Sequence, residues 1–250
     1  MREPNGGEVV DLARALADRL RWEAELGAEV FPPASRAVER PVATRETPPG
    51  ERDEARDPGA ELEALRAEIG DCERCPLHAG RNRIVFGGGR PDARLVLVGE
   101  GPGREEDLSG RPFVGPAGQL LDRILAAIGL SREDVYICNV VKCRPPGNRD
   151  PEPEEAQTCG RFLRRQLRII HPQVIIALGR PAAAYLLDTA ASVRRMRGRF
   201  HDYEGIDLMP TYHPAYLLRN ESAKRPVWED FKKVRDRLGL PPLSRPGGAR

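Results

Sequence analysis

Four short apolar segments, separated by stretches with helical periodicity, constrain the fold of this chain more than any other feature. They are ARLVLVGE (93–100), DVYICNVVKC (134–143), QVIIALG (173–179) and IDLMPTYHP (206–214). Strands that are nearly continuous in apolar residues are typical of sheets covered on both faces. Strands that alternate with helices favour parallel pairing. We therefore predict an α/β fold: a three-layer α/β/α sandwich around a central, mostly parallel four-stranded sheet.

The folded domain is predicted to occupy residues 61–240, between an N-terminal extension and a short tail at 241–250. Residues 9–27 carry apolar residues at helical spacing and predict one amphipathic helix. Residues 31–60 are rich in proline and charge, so they cannot bury enough apolar surface to offset the entropy of ordering, and we predict a flexible linker. The extension of residues 1–60 either recruits a replication or repair partner or is inert, and no motif decides between these alternatives.

The basic residues leave a nucleic-acid partner open. All but four of the 40 basic residues are arginine, which binds phosphate through paired hydrogen bonds, although 38 acidic residues reduce the net charge to +2. A bias toward arginine, alanine, glycine and proline across the whole sequence is the competing explanation. No apolar run approaches the roughly 20 residues that a membrane span needs, and the N-terminus lacks the apolar core of a signal peptide. The sequence therefore predicts a cytoplasmic protein whose thiols stay reduced.

The cysteines are expected to bind metal rather than to form disulfides. Cys72 and Cys75 form one CxxC pair, and Cys143 and Cys159 lie on either side of a proline-rich turn. Four thiolates can hold a tetrahedral zinc ion or an iron–sulfur cluster. A zinc ribbon usually has two CxxC pairs, and this chain has one, with prolines near two of the ligands. Both features favour a [4Fe–4S] cluster. Cys138 lies inside an apolar strand and is interpreted as a core residue.

Three predicted strands end in segments whose composition is typical of a binding site: GEGPG at 99–103, NVVKC at 139–143 and TYHPAY at 211–216. Ligands of parallel α/β folds bind at the carboxyl ends of the strands, so we expect these segments to form one site. GEGPG resembles a phosphate-binding turn, but Arg104 replaces the third glycine of the dinucleotide fingerprint and the P-loop lysine is missing. Pro102 also removes one N–H donor. The glycines indicate instead that the backbone approaches a ligand closely.

Phe113, Asn139 and His213 are the candidate pocket residues. Each has an ordinary explanation, because an aromatic ring can cap a core, an asparagine at a strand end often forms a turn, and a single histidine is more often structural than catalytic. At one rim, however, the three could hold a planar heterocycle. The ring would stack on the heterocycle, the amide would read its hydrogen-bonding edge, and the histidine would meet charge on an exocyclic oxygen.

A series of motifs runs from about residue 61 to residue 240: CERC, GEGPG, GRPFVGPAGQLL, NVVKCRPPGNR, ALGRPAA, MRGRF, PTYHPAYLLRN and KRPVWEDFKKV. In order and spacing this series resembles the iron–sulfur-containing uracil-DNA glycosylases, family 4 of their superfamily. The resemblance implies a monofunctional DNA repair enzyme, expected to be a monomer, that flips uracil out of single- or double-stranded DNA and hydrolyses its N-glycosidic bond. It also implies one structural [4Fe–4S] cluster per chain, bound by Cys72, Cys75, Cys143 and Cys159.

The same resemblance implies roles for five residues around the flipped base. Phe113 would stack on uracil, and Asn139 would bond its O4/N3 edge and so reject cytosine. Glu106 would crowd C5 and exclude the methyl group of thymine. His213 would donate a hydrogen bond to O2 as negative charge develops on the departing base. Leu217 would be the wedge that fills the gap left in the base stack.

The residue that positions the attacking water is left open. The best-known branch of the superfamily has an aspartate where this chain has Gly101, which we expect to contact the uracil; Glu100 and Asn148 are the candidates that remain. A related branch bonds covalently to its product through a histidine in an arginine-rich insert. The corresponding segment CRPPGNRDPEP has no histidine, so we expect ordinary turnover. His201 follows arginines farther along the chain and is interpreted as structural.

A cluster-bearing protein that binds nucleic acid or senses damage without catalysis is the alternative function. Such a protein would have no need of Phe113, Asn139 and His213 together, so their presence favours the enzyme. A nucleotide-binding fold that uses GEGPG as a phosphate loop is disfavoured by the missing lysine and third glycine.

Overall fold

The structure, a computed structural model, describes residues 56–241. The helix predicted at 9–27 and all but the last residues of the linker predicted at 31–60 lie outside this part of the chain. So does the tail predicted at 241–250, apart from its first residue.

Helix α1 spans Pro58–Ile69, just before the CERC motif. Asp57 caps it by accepting hydrogen bonds from the N–H groups of Gly59 (2.9 Å) and Ala60 (3.1 Å). Proline fits the first turn because its missing N–H would have no partner within the helix. The folded part of the chain therefore begins slightly before the predicted boundary at residue 61.

Six strands and seven further α-helices follow within the described residues. The strands are β1 (Gly88–Gly89), β2 (Leu95–Gly99), β3 (Tyr136–Asn139), β4 (Val174–Leu178), β5 (His201–Tyr203) and β6 (Ile206–Thr211). The helices are α2 (Arg104–Ser109), α3 (Pro116–Ala127), α4 (Pro153–Ile170), α5 (Arg180–Leu187), α6 (Val193–Met196), α7 (Pro214–Leu217) and α8 (Lys224–Arg237).

The strands form one sheet in the order β1-β3-β2-β4-β6-β5, and the four central strands are parallel. The predicted parallel core of four strands is therefore confirmed. The sequence missed the two antiparallel edge strands, because β1 is two glycines and β5 is three residues of a hairpin. The turn of that hairpin contains Glu204 and Gly205, both with positive φ, which is the geometry of a tight β-hairpin.

The central strands are buried on both faces, as the apolar runs predict. In β2, Val96 and Val98 pack on the side covered by α1, α4, α5 and α6, whereas Leu95 and Leu97 pack on the side covered by α3, α7 and α8. This alternation follows from the two-residue repeat of a strand and gives the three layers of the sandwich. No helix in residues 56–241 combines the length and the apolar character needed to cross a bilayer.

Parallel pairing brings the binding-site segments to the same edge of the sheet. Gly99 at the end of β2 lies opposite Asn139 at the end of β3. The strand predicted at 134–143 ends at Asn139, although the N–H groups of Val140 and Val141 still donate to the carbonyl groups of Gly99, the last residue of β2, and Glu100 (both 3.0 Å). Past that point the chain turns toward the cysteines.

Candidate functional site

Asn139 is a buried amide with an unused acceptor. Its side chain is 1% exposed, and among the described residues its Oδ1 atom has no hydrogen-bond partner. A Cβ atom placed on Gly99 would lie 2.3 Å from this oxygen and 2.7 Å from Cζ of Phe113. The missing side chain of Gly99 therefore leaves room where the amide and the aromatic ring meet. A buried polar atom without a partner is costly, so this corner is suited to a ligand that supplies an N–H donor.

Phe113 is held in a backbone conformation that a bulky residue rarely adopts. Its φ angle is 52°, in the left-handed region, and the side chain is buried. Arg132 donates hydrogen bonds to the carbonyl groups of Pro112 (2.9 Å) and Phe113, and it also pairs with Asp122 of α3 (2.7 Å). The glycine at position 118 lets α3 pack directly on the Phe113 carbonyl. Strain that neighbouring contacts maintain in this way is typical of functional sites.

His213 faces Phe113 as a neutral hydrogen-bond donor. The two ring centroids are 5.5 Å apart with planes tilted by 31°. Nδ1 of His213 accepts a hydrogen bond from the backbone N–H of Ala215 (3.1 Å), so the proton of the neutral ring resides on Nε2. Burial lowers the pKa of His213 to about 4, opposed by the nearby Glu106 carboxylate. The imidazole is therefore neutral near pH 7, with an N–H available on Nε2.

A buried ion pair supports the strand that leads to His213. Thr211 at the end of β6 donates a hydrogen bond to Asp230 of α8 (2.6 Å), and Arg197 reaches both oxygens of this carboxylate (2.8 and 3.0 Å). Asp230 is fully buried. The motifs MRGRF and KRPVWEDFKKV, which supply Arg197 and Asp230, thus fix the end of β6. His201, expected to be structural, bonds the carbonyl oxygen of Met196 (2.8 Å) in the same region.

Glu106 ties the turn after β2 to the loop that carries Phe113. One carboxylate oxygen accepts hydrogen bonds from the N–H groups of Val114 (2.8 Å) and Gly115 (2.9 Å), and the other accepts from Gly103 (3.1 Å). The carboxylate therefore organises the loop in addition to the role near C5 that the resemblance implies, which stays a prediction.

Glu100 is a partly buried carboxyl group at the end of β2. Burial raises its pKa to about 7, repulsion from Asp150 adds to the rise, and Arg180 opposes it. Arg180 itself pairs with Asp150 (2.6 Å). A Cβ atom at the neighbouring Gly101 would lie 2.8 Å from a methyl group of Val141, so an aspartate does not fit there unless this side chain moves.

Asn148 is less suited than Glu100 to the candidate site. It is exposed, it has a positive φ of 54°, and its side-chain oxygen accepts a hydrogen bond from Arg144 (2.8 Å). No contact in the described part of the chain joins it to Asn139, Phe113 or His213. The structure therefore brings together the pocket residues of the sequence analysis but not this one.

The expectation that Leu217 is an exposed wedge is wrong. Leu217 is 1% exposed and packs with α3 and α8 in the core. It ends the short helix α7, whose turn directs one leucine inward and the next one outward. Leu218 is 46% exposed and Tyr216 is 42% exposed. Both therefore project from this segment, and Leu218 is the aliphatic one.

The four cysteines predicted as ligands line a single cavity between α1, α4 and the turn after β3. All are free thiols, and Cys138, interpreted as a core residue, lies apart from them in the apolar interior of β3. Within residues 56–241, no three cysteine, histidine or carboxylate side chains are grouped closely enough to ligate one metal ion. The four thiols therefore share one cavity, but as they stand in residues 56–241 they do not form a metal-ligand group.

Two N–H donors point at these sulfurs. The backbone N–H of Lys142 donates to Sγ of Cys159 (3.2 Å), and Arg81 donates to Sγ of Cys143 (3.7 Å) and to the carbonyl oxygen of Cys72 (2.5 Å). Hydrogen bonds to sulfur favour the thiolate form that binds metal. Neither donor could be predicted from the sequence, because a backbone N–H leaves no signal in residue type and Arg81 lies outside the motifs.

Comparison with known proteins indicates the same family as the motifs of the sequence. The family model of the uracil DNA glycosylase superfamily matches residues 86–232. A type-4 uracil-DNA glycosylase from Thermotoga maritima is 51% identical over 178 residues, which cover 70% of this chain and 93% of that protein. Type-4 uracil-DNA glycosylases from Archaeoglobus fulgidus and Saccharolobus solfataricus are 45% and 42% identical, over 71% and 73% of this chain and 94% and 89% of theirs.

Proposed function

The chain belongs to the uracil-DNA glycosylase superfamily and groups with its type-4 members, and we propose that it excises uracil from DNA in the pocket formed by Asn139, Phe113 and His213. The observation that carries this proposal is the unpaired, buried Oδ1 atom of Asn139 beside the space left by Gly99. Uracil presents an N–H donor at N3 and an acceptor at O4, which match the acceptor and donor of an amide side chain. Cytosine presents an amino group instead of O4 and leaves the amide mispaired.

Each of the three pocket residues has a role in the proposed reaction. Phe113 stacks on the extruded base, and Asn139 reads its edge. When the N-glycosidic bond breaks, positive charge develops on the sugar and negative charge on uracil. The Nε2–H of His213 donates to O2 of the base, where a fixed donor contributes most because it stabilises the charge only as it develops. Water then attacks C1′, and the products are free uracil and an abasic site.

Replacing Gly99 by alanine tests whether this pocket holds the base. The added Cβ would collide with both Asn139 and Phe113, so we expect uracil excision to fall by about 10- to 100-fold, because misplacing reacting groups by about 1 Å has effects of this size. Single-turnover cleavage of a uracil-containing oligonucleotide measures it. Gly80→Ala is the matched control, since a Cβ at Gly80 meets open space. Full activity in Gly99→Ala would contradict the assignment of this pocket.

The water-positioning role is proposed for Glu100, because its carboxyl group is partly buried at the strand end and Asn148 is exposed. Its pKa of about 7 means that the carboxylate, the form able to orient and deprotonate water, dominates only above that pH. The rate of excision should therefore rise about tenfold per pH unit below pH 7 and level off above it. His213 is neutral above about pH 4, so its titration does not change the rate of excision in that range.

Two variants check the source of this pH dependence in single-turnover assays. Glu100→Gln should lower the plateau and flatten the profile. Asp150→Asn removes a repulsive neighbour, so the midpoint should move to lower pH while the plateau stays the same. A wild-type midpoint near the ordinary carboxyl pKa, or the same midpoint in Glu100→Gln, would exclude Glu100.

Leu218 takes the place of Leu217 as the proposed wedge. Extruding a base leaves a gap in the stack that an apolar side chain can fill, and the side chain must project from the surface to reach it. Leu218 projects from the segment that follows His213, and it is close in sequence to the group that contacts the base.

The four cysteine thiols line one cavity, where they are placed to bind one metal group together. Zinc would take all four thiolates around one ion, whereas each thiolate of a [4Fe–4S] cluster would bind a different iron atom. The single CxxC pair and the prolines near two of the ligands favour the cluster. We propose one structural cluster per chain, held by Cys72, Cys75, Cys143 and Cys159, which cross-links α1, α4 and the turn after β3.

The deciding experiment treats an oligonucleotide that contains one uracil with the cluster-loaded protein and then with alkali. Cleavage at uracil and none at thymine supports the proposed enzyme, which we expect to act as a cytoplasmic monomer on single- or double-stranded DNA. Binding without cleavage by protein that holds its cluster would instead support the alternative, a non-catalytic iron–sulfur protein that binds nucleic acid or senses damage.

A further inference from the structure

Lys142 is a buried lysine that none of the steps above uses. It is 2% exposed, and its Nζ atom donates hydrogen bonds to the backbone carbonyl of Asn139 (2.8 Å) and to Oε1 of Gln166 (2.6 Å). Both partners are neutral. In residues 56–241 no carboxylate lies at ion-pair distance from Lys142. A buried ammonium group without an opposite charge is costly, so its presence needs an explanation.

A filled cysteine site would supply the opposite charge. Lys142 lines the cavity of the four thiols, precedes the ligand Cys143, and donates its backbone N–H to Sγ of Cys159. Four thiolates around a [4Fe–4S] core carry net negative charge. A lysine at this place balances that charge at close range, where the surrounding protein screens it little.

The same side chain fixes the residue that reads the base. Lys142 reaches back three residues to the carbonyl of Asn139, where β3 ends. Gln166, its other partner, lies on α4 together with Cys159 and donates to the carbonyl oxygen of Phe86 (2.9 Å) and the hydroxyl of Tyr136 (3.2 Å). Gln166 thus anchors the ammonium group, whereas Lys142 itself spans from Sγ of Cys159, through its backbone N–H, to the carbonyl of Asn139, through its side chain.

We propose that Lys142 is a positioning residue that couples the filled cysteine site to the orientation of the Asn139 amide, so that recognition of uracil depends on the cluster. This inference rests on the proposed function and extends it, because it gives the cysteine site a part in base discrimination beyond holding the fold together.

Lys142→Met tests the coupling, since methionine keeps much of the side-chain volume and removes the charge and both hydrogen bonds. The probes are oligonucleotides with 2′-fluoro-2′-deoxyuridine or 2′-fluoro-2′-deoxycytidine, which resist hydrolysis because fluorine disfavours positive charge on the sugar. We expect the preference for the uracil probe to fall by about 10-fold, consistent with a hydrogen bond that is no longer well aligned. Chelator should also bleach the visible absorbance of the cluster faster than in the wild type.

Gln166→Met is the matched control. It also disrupts the buried hydrogen bonds and is expected to lower thermal stability, but it leaves the bond between Lys142 and Asn139 intact and should keep the probe preference. A purely structural role for Lys142 predicts lower stability with unchanged preference in both variants, and that result would overturn the inference.

A measurement on the wild type covers the case in which Lys142→Met does not fold. While chelator and oxidant remove the cluster, the preference for the uracil probe should decay with the absorbance and before the far-ultraviolet circular dichroism changes. Preference that survives bleaching would overturn the coupling. Wild-type protein that holds its cluster but does not cleave uracil-containing DNA would instead refute the proposed function itself.

Discussion

Replacing Asn139 by alanine is expected to lower the single-turnover rate of uracil excision by about 10³-fold. In the proposed reaction the amide would exchange two hydrogen bonds with an edge of the base on which negative charge develops. Each such bond contributes about 1.5–3 kcal/mol, and about 1.4 kcal/mol corresponds to a factor of ten in rate. The loss should fall mainly on the chemical step, because binding of the DNA backbone does not involve this buried side chain. Rates measured with enzyme in excess over a uracil-containing oligonucleotide give the number directly.

Asn148→Ala is the control for this variant. Asn148 is also an asparagine near the end of the NVVKC segment, but it is exposed and bonds only Arg144 through its oxygen among the described contacts. We expect its rate to stay within about threefold of the wild type, as for most exposed substitutions away from the reacting groups. Equal losses in the two variants would show that the buried amide has no special role.

His213→Ala is expected to lower the rate of excision by about 10²- to 10³-fold, the usual effect of removing one fixed donor to developing negative charge. In the wild type the imidazole of His213 should be neutral between pH 6 and pH 8, because its pKa lies near 4. The loss should therefore be the same at pH 6 and pH 8. His213→Gln, which restores an N–H donor on a shorter side chain, should recover part of the rate.

His201→Ala controls for a structural histidine. His201 bonds the carbonyl oxygen of Met196 and lies on an edge strand, so its removal should change thermal stability more than the rate. A loss in His213→Ala that shrinks steadily toward high pH would contradict the neutral-donor role, because it would show that the lost group acts through its protonated form.

The elements that the sequence predicts well are those with a strong local pattern. The parallel strands are nearly unbroken apolar runs, and both α3 and α4 begin with proline and carry a regular apolar stripe. The edge strands β1 and β5 lack such a pattern, because their pairing depends on a neighbouring strand rather than on their own side chains. The sequence also overestimates the length of β3, which ends at Asn139 because the chain turns toward the cysteines there.

The candidate pocket could also be predicted, since parallel strands place their carboxyl ends together and the motifs at those ends can be read directly. Leu217 shows where this reasoning fails. Leu217 and Leu218 are identical in residue type, so their side chains do not show which of them is buried. The turn of α7 decides that Leu217 faces the core. A local pattern of two residues carries no information about that direction.

The sequence by itself predicted the sandwich, the candidate site at the strand ends, its candidate pocket residues and the four thiols, because each depends on residue type and short-range spacing. Only the tertiary structure decided that Asn139 keeps an unpaired acceptor, that His213 holds its proton on Nε2, and that Lys142 bonds the Asn139 carbonyl beside the cysteine cavity. The burial of these groups depends on packing between segments far apart in the chain. The bonds from Ala215 to His213 and from Lys142 to Asn139 span only two and three residues, but they form because that packing fixes the direction of the backbone. Residue type alone determines neither property.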